Sequence, residues 1–255
     1  MVIECTRGNT PSQPGFSWEE EIDRLAKSIL ETFDQGGSVL IPCFALGKMQ
    51  EVLKVFHDLM EDHFLPRQTI YVSGLGQSYN EIYDDLAHHD PRVCPGFKLG
   101  KNLDLTVLNP KEAANMQLGK GRLMLVSSGM MTRHTMSYKM AQRMAHDERH
   151  SIFFVGYVDP DSPAGRVKAA KQGGRADFGG EVGEVHLQCN IDSFDLTSHC
   201  NREHMLDYVR RVHPQQVLLV HGETPGLDWF RQEINKHLPE CKVTVPPSGE
   251  TIQLG

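Results

Sequence analysis

GGSVLIPCFALGKMQE, residues Gly36–Glu51, carries the chain from a helix end through a strand into a second helix. Gly36–Gly37 stops the preceding helix, because glycine adopts the left-handed backbone that a helix terminus needs. Ser38–Pro42 is apolar, β-branched and too short for a helix, so it reads as a short buried strand. Met49, Val52, Leu53, Phe56 and Met60 then recur at helical spacing. Upstream, Ser17 and Glu20 have the spacing of a capping box, and Ile22, Leu25, Ala26, Ile29, Leu30 and Phe33 form one helical face.

The alternation continues outward from this block. Gln68–Ser73, Thr106–Leu108, Arg122–Ser127 and Ser151–Gly156 read as buried strands, with helices at Gln77–His88, Lys111–Leu118 and Thr135–His146. Asp90–Lys101, rich in proline and glycine, is expected to be irregular. Strands buried on both faces and alternating with helices specify an α/β fold: a Rossmann-like, mainly parallel sheet with helices on both sides.

After the basic, glycine-containing run Arg166–Asp177 the pattern changes. Glu181–Asp192 reads as strand or hairpin, and a helix carries Met205, Tyr208, Val209 and Val212 on one face. Gln216–Val220 is a strand, a helix runs from about Gly226 to His237, and short strands are expected at Val243–Val245 and Thr251–Leu254. A boundary is expected near residue 180, with residues 9–180 forming the Rossmann-like unit and residues 1–8 joining 181–255 in a second layer. Val2 and Ile3 read as the end of a strand whose earlier part is absent, and a truncation is expected. A layer without its other half leaves an apolar sheet face near residues 182–220 open, which predicts self-association.

Bulk properties narrow the class. A formal charge of −7 and a pI near 6.0 exclude a generally basic nucleic-acid coat while leaving room for a local basic channel. The six cysteines (Cys5, Cys43, Cys94, Cys189, Cys200 and Cys241) form no C-x-x-C pair and read as reduced thiols in or near the core. No apolar run approaches the ~20 residues that span a bilayer, and MVIECTRGN lacks the features of a secretory signal. A soluble, cytoplasmic protein is expected.

Chemistry concentrates late in the chain. Gln216–Glu223, QVLLVHGE, is an apolar run that stops on His221, placing an imidazole at the carboxyl end of a buried strand. His199, in LTSHCN, precedes the next helix. Two histidines on neighbouring loop ends suit a metallohydrolase, yet no H-x-H-x-D-H cluster occurs among the 13 histidines. The bland alternatives are a histidine satisfied by backbone at a strand end for His221, and a first-turn residue behind a Ser198 cap for His199.

Four ordered blocks resemble the β-CASP family of metallo-β-lactamase-fold proteins, which includes RNA-processing nucleases. Gly36–Glu51 resembles its GG-x-VLIP-x-FA-x-GR-x-QE block, and Glu4–Gly8 (ECTRG) resembles its E-S-T-Y-G. Ser128–Met131 with the later VGYVDPDSPAG resembles the GM…GY region, and LTSHCN and LLVHGE resemble F-S-A-H-x-D and V-H-G-E. The resemblance implies that the chain comprises the β-CASP domain and the C-terminal part of an αββα metallo-β-lactamase fold. It implies that His221 is a zinc ligand, that His199 faces the scissile phosphate, and that Glu4 hydrogen-bonds His199. A carboxylate beside an imidazole favours its protonated, oriented form, which suits a general acid.

In such enzymes two zinc ions activate a bridging water and neutralise phosphate oxygens. The family's remaining ligands would fall before Met1, and one imidazole is too few for a catalytic zinc, which takes about three protein ligands. Zinc is therefore expected to be weak or absent in this chain, and the chain alone inactive. Arg7, Asn201, His134 and Asp161–Ser162–Pro163 depart from the family pattern.

Lys48, beside Gly47 at a helix start, and the basic residues Arg166, Lys168, Lys171 and Arg175 are candidates for an RNA-backbone track, although such runs are most often a solvated face. His88–His89, His146, His150, His204 and His237 read as surface histidines at helix ends. Three functions remain in view: part of a zinc-dependent ribonuclease, a non-catalytic RNA- or protein-binding module, and a same-fold metallohydrolase with another substrate.

Overall fold

The computed structural model describes residues 1–89, 94–119 and 121–252. Its first elements are β1 (Val2–Glu4), α1 (Trp18–Asp34), β2 (Val39–Pro42), α2 (Lys48–Glu61), β3 (Ile70–Val72), α3 (Gly74–Asp85), α4 (Leu99–Asn102), β4 (Leu105–Val107) and α5 (Pro110–Asn115). There follow β5 (Leu123–Val126), α6 (Met136–Met144), β6 (Ser151–Phe154), α7 (Pro163–Ala170), β7 (Arg175–Asp177), β8 (Glu184–His186) and β9 (Asn190–Ser193). Last come α8 (Arg202–Val212), β10 (Gln216–Val220), α9 (Thr224–His237) and β11 (Lys242–Thr244). The chain divides into two compact units, Met1–Ser17 with Thr197–Gly255, and Trp18–Leu196.

The larger unit is built on a six-stranded parallel sheet in the order β4-β3-β5-β2-β6-β9. Strands β2, β5 and β6 are buried along their whole length. Alternate side chains go to opposite faces, so Val39, Ile41, Leu123, Leu125 and Phe153 pack with Leu25 and Ile29 of α1 and Leu53 and Phe56 of α2. Leu40, Met124, Val126, Ile152 and Phe154 pack on the other face with Met140 and Met144 of α6 and Val167 of α7. Each such side chain contributes ~1.5–3 kcal/mol on burial. The expected helix-covered parallel sheet is therefore present, and the helix stop at Gly36 has its left-handed φ of 72°.

Several sequence expectations differ from the structure. The run Arg166–Asp177, to which the sequence assigned no element, holds most of α7 and all of β7: α7 begins at Pro163 with Ser162 as cap, its hydroxyl accepting the Gly165 N–H at 3.1 Å, and β7 pairs antiparallel with β8. Strand β9 pairs with β6 over Ser151↔Asn190 to Phe154↔Ser193, so the compact unit continues to Leu196 instead of ending near 180. The first compact segment likewise extends to Ser17 rather than stopping at residue 8.

Residues 90–93, part of the stretch expected to be irregular, lie outside the described residues, and its end holds α4. The final strand expected at 251–254 falls partly outside the described residues, and Thr251 and Ile252 are in no strand. His150 is 3% exposed rather than on the surface. Its Nδ1 accepts the Ser38 N–H at 3.1 Å where β2 begins. Burial lowers its pKa, helped by Arg149 and Arg143 and opposed by Asp147.

The smaller unit holds a parallel sheet, β1-β10-β11. Ile3, Val217 and Leu219 pack on Leu206 and Val209 of α8 and Phe230 and Ile234 of α9. Their neighbours along the strands alternate to the other face, where Val2 is 61% exposed and Leu218 and Val220 are half-buried.

Candidate functional site

The site grows from the register of β1 on β10, which sets Glu4 beside Val220. Beyond this pair the two strand ends are tied together, the Cys5 N–H donating to the Val220 carbonyl at 2.9 Å and the His221 carbonyl at 3.1 Å. His221 takes a left-handed φ of 51°, which is uncommon outside glycine and marks the sharp exit from β10. The following residue must be small: a Cβ on Gly222 would stand 2.8 Å from the Cys5 carbonyl carbon and oxygen.

Thr6 fixes the imidazole. Its hydroxyl donates to the His221 carbonyl at 3.0 Å and lies 2.9 Å from His221 Nδ1. With its one proton given to the carbonyl, the hydroxyl oxygen accepts from Nδ1–H, and His221 presents the Nε2 lone pair outward. That is the tautomer a metal ligand requires, held in the way ligating histidines are held by a second hydrogen bond.

Glu4 serves the second histidine. Its Oε2 accepts the Thr6 N–H at 2.8 Å and lies 3.4 Å from His199 Nδ1. Burial raises the Glu4 pKa, but hydrogen bonds from Thr6, the charge of His199 and the Cys200 N–H outweigh it and hold the carboxyl below its ordinary value. The rings of His199 and His221 stack with centroids 5.4 Å apart at 27°.

The loop bearing Glu4 and Thr6 is clamped to α8. Glu203 accepts from the Ser12 hydroxyl at 2.5 Å and from its N–H, while Arg202 donates to Glu203 at 2.9 Å and to the Gly8 carbonyl at 3.1 Å. The Arg202 guanidinium also sits 4.4 Å over the Trp229 ring. Burial raises the Glu203 pKa, yet these hydrogen bonds bring it down to about 2. The cap position of α8 is Asn201, not Ser198.

Ligand atoms of Glu4, His199 and His221 all lie within 4.8 Å of one another. Imidazole and carboxylate are donor types that zinc takes, and of the three groups His221, through Nε2, is the one prepared to hold it. Three groups are too few for a zinc pair. The structure thus brings Glu4, His199 and His221 together, whereas sequence reasoning alone did not single out Thr6, Ser12, Arg202, Glu203 or Trp229. The signal for Thr6 was local: a hydroxyl two residues past a strand-end carboxylate.

The basic candidates lie in the larger unit. Lys48 is committed there, its ammonium donating to Glu51 at 2.8 Å and to the Leu196 carbonyl, with the side chain 11% exposed. It braces the start of α2 instead of standing as a free cation. Arg166 donates to the carbonyls of Asp177 and Asp161, and Arg175 pairs with Glu184 at 3.0 Å. Lys168 is half-buried and Lys171 exposed, and neither forms an ion pair among the described residues.

Fold and site together define a class: an α/β protein whose histidines and carboxylate converge at the carboxyl ends of adjacent parallel strands. Residues 49–167 match the Beta-Casp domain, and residues 184–246 match the domain described as a Zn-dependent metallo-hydrolase RNA specificity domain. The chain belongs to the β-CASP family of metallo-β-lactamase-fold proteins.

Among its relatives is the transcription termination factor FttA of Methanothermobacter thermautotrophicus, 26% identical over 242 residues, with 88% of this chain and 36% of that protein covered. Integrator complex subunit 11 of Gallus gallus is 23% identical over 229 residues, 89% of this chain and 37% of the relative. RNase aCSPSF2 of Saccharolobus solfataricus is 27% identical over 272 residues, 100% of this chain and 48% of the relative. The chain thus spans between about a third and a half of the length of these relatives. The second domain match begins at residue 184, inside the larger compact unit, because its first strands hydrogen-bond there.

Proposed function

We propose that this chain is part of a zinc-dependent phosphodiesterase acting on single-stranded RNA. The observation that carries the reading is the convergence of Glu4, His199 and His221 at paired strand ends, with the tautomer of His221 set by Thr6. The RNA-specificity description of the matched domain and the ribonuclease name of one relative support the substrate class. His221 would hold the metal through Nε2. When bound, zinc supplies an activated water and neutralises phosphate oxygens. His199, oriented by Glu4 through Nδ1, directs Nε2 to the phosphate and delivers a proton to the leaving oxygen. Lys168 and Lys171 contact the RNA backbone.

A protein carrying the H-x-H-x-D-H block ahead of this chain tests the reading. His221→Ala is expected to lose zinc, and His199→Ala to lose turnover with zinc retained, both read by metal analysis and by cleavage of single-stranded RNA. No RNA cleavage by the zinc-loaded protein, or equal zinc loss in both variants, refutes these assignments. A second reading, a non-catalytic RNA- or protein-binding module, is favoured by one observation: Arg7, His134 and Asn201 depart from the family pattern. That module would bind RNA without cleaving it.

A further inference from the structure

The larger unit contains a cavity that the reading above leaves unused. Beyond the carboxyl ends of β2, β3, β4 and β5, the departing loops border an open cavity of about 640 Å³, within the range of about 300–1,000 Å³ of small-molecule sites. The topology explains why it is there. Strands β2 and β5 are neighbours, yet the chain leaves β2 for β3 beyond β5 and leaves β5 for β6 beyond β2. Adjacent strands whose connections depart in opposite directions open a crevice at their carboxyl ends, where parallel α/β sheets hold ligands.

The lining is apolar with a polar floor. Phe44, Leu75 and Val107 line it and remain 47%, 59% and 41% exposed. Ser73 and Ser127 join hydroxyl to hydroxyl at 2.7 Å, and Ser73 Oγ also accepts the Ser127 N–H at 3.0 Å. Because that hydroxyl is engaged with Ser127, Ser73 gives α3 no side-chain cap. The N–H groups of the first turn of α3 therefore remain as donors at the wall, and open space lies where a Cβ on Gly74 would stand. Among the described residues no Lys, Arg, His, Asp or Glu lines the cavity.

We propose that this cavity takes an unpaired nucleobase, a reading that rests on RNA as the substrate class. On a chain of net charge −7, a lining with no cation disfavours a phosphate and matches a neutral ring. Phe44 provides a stacking face, and the one hydroxyl proton left over by the Ser73–Ser127 pair, with the α3 N–H groups, meets the keto and ring-nitrogen acceptors on the base edge. The cavity thus grips a strand by a base, separately from the phosphate chemistry of Glu4, His199 and His221.

Titration of the ¹⁵N-labelled chain with uridine, adenosine and ribose 5-phosphate tests this. The nucleosides are expected to shift the amides of Gly74 and Gly129 at millimolar concentration, and ribose 5-phosphate to leave them unmoved. Phe44→Ala and Leu75→Asp, at exposed positions, should each weaken nucleoside binding about tenfold, in line with loss of one base–aromatic or base–apolar contact. Equal shifts from ribose 5-phosphate, no shift from either nucleoside, or unchanged affinity in both variants overturns the proposal. Zinc binding measured on the same sample separates the two readings: nucleoside shifts without zinc binding keep the base pocket and count only against the metal site.

Discussion

Replacing Thr6 by valine keeps its shape and removes the hydroxyl that holds His221. Two contacts disappear, at 2.9 Å to Nδ1 and 3.0 Å to the His221 carbonyl. The first fixes the tautomer, and one net hydrogen bond of ~0.5–1.5 kcal/mol changes a tautomer ratio by about 2- to 13-fold. In Thr6→Val the ratio of the Nδ1–H to the Nε2–H form of His221 should therefore fall by that factor, read from the ring nitrogen shifts of the ¹⁵N-labelled protein. Zinc affinity should fall with it, by about 10- to 100-fold, the usual effect of losing the second partner of a ligating histidine. Thr6→Ser should restore both. An unchanged nitrogen pattern in Thr6→Val would show that the hydroxyl does not set the tautomer, and with it the argument that His221 is prepared for metal would go.

Three further outcomes follow from the geometry. Gly222→Ala drives a Cβ to 2.8 Å from Cys5 backbone atoms and should destabilise the smaller unit by ~1–3 kcal/mol, seen as a lower urea midpoint; an unchanged midpoint would mean the strand ends separate freely. His150 has a lowered pKa in the folded protein, so the unfolded chain binds the proton first and stability declines as pH falls below the ordinary value of 6.5. His150→Asn should flatten this pH dependence in thermal melts between about pH 7 and 5, and a slope equal to the wild type would remove His150 as its source. Finally, the sheet face marked by Val2 should drive self-association, visible as concentration-dependent sedimentation that Val2→Lys weakens; a monomer at every concentration would contradict it.

Much of the larger unit was legible because its strands are buried on both faces. VLIP, LMLV and SIFF are continuous apolar runs, and such runs are hard to mistake when helical periodicity lies between them. Strand β9 was harder to place, since NIDS is only half-buried and reads as well in a hairpin as in a sheet edge. Helix α7 was missed because PAGRVKAA is short and its charges mask a narrow apolar stripe of Ala164 and Val167. His150 read as a surface residue because sequence gives no hint that the Ser38 N–H, at the start of another strand, needs an acceptor.

At the site, the two histidines and Glu4 could be named from their motifs. The Thr6 contact and the Ser12–Glu203 clamp could not, because each joins segments about 190 to 215 positions apart. Such pairings depend on the register of β1 against β10, which composition does not encode.

The arrangement of the smaller unit also dictates when it can exist during synthesis. On the ribosome His221 follows Thr6 by 215 positions. At 5–20 residues per second the interval is roughly 10–40 s. Among the described residues β1 pairs with β10, and in that interval all the strands of the six-stranded sheet are made. The constellation of Glu4, His199 and His221 therefore closes only after every strand of the larger sheet has been made. A ribosome that stalls before Gln216 would release a chain holding every strand of the larger sheet but lacking His221.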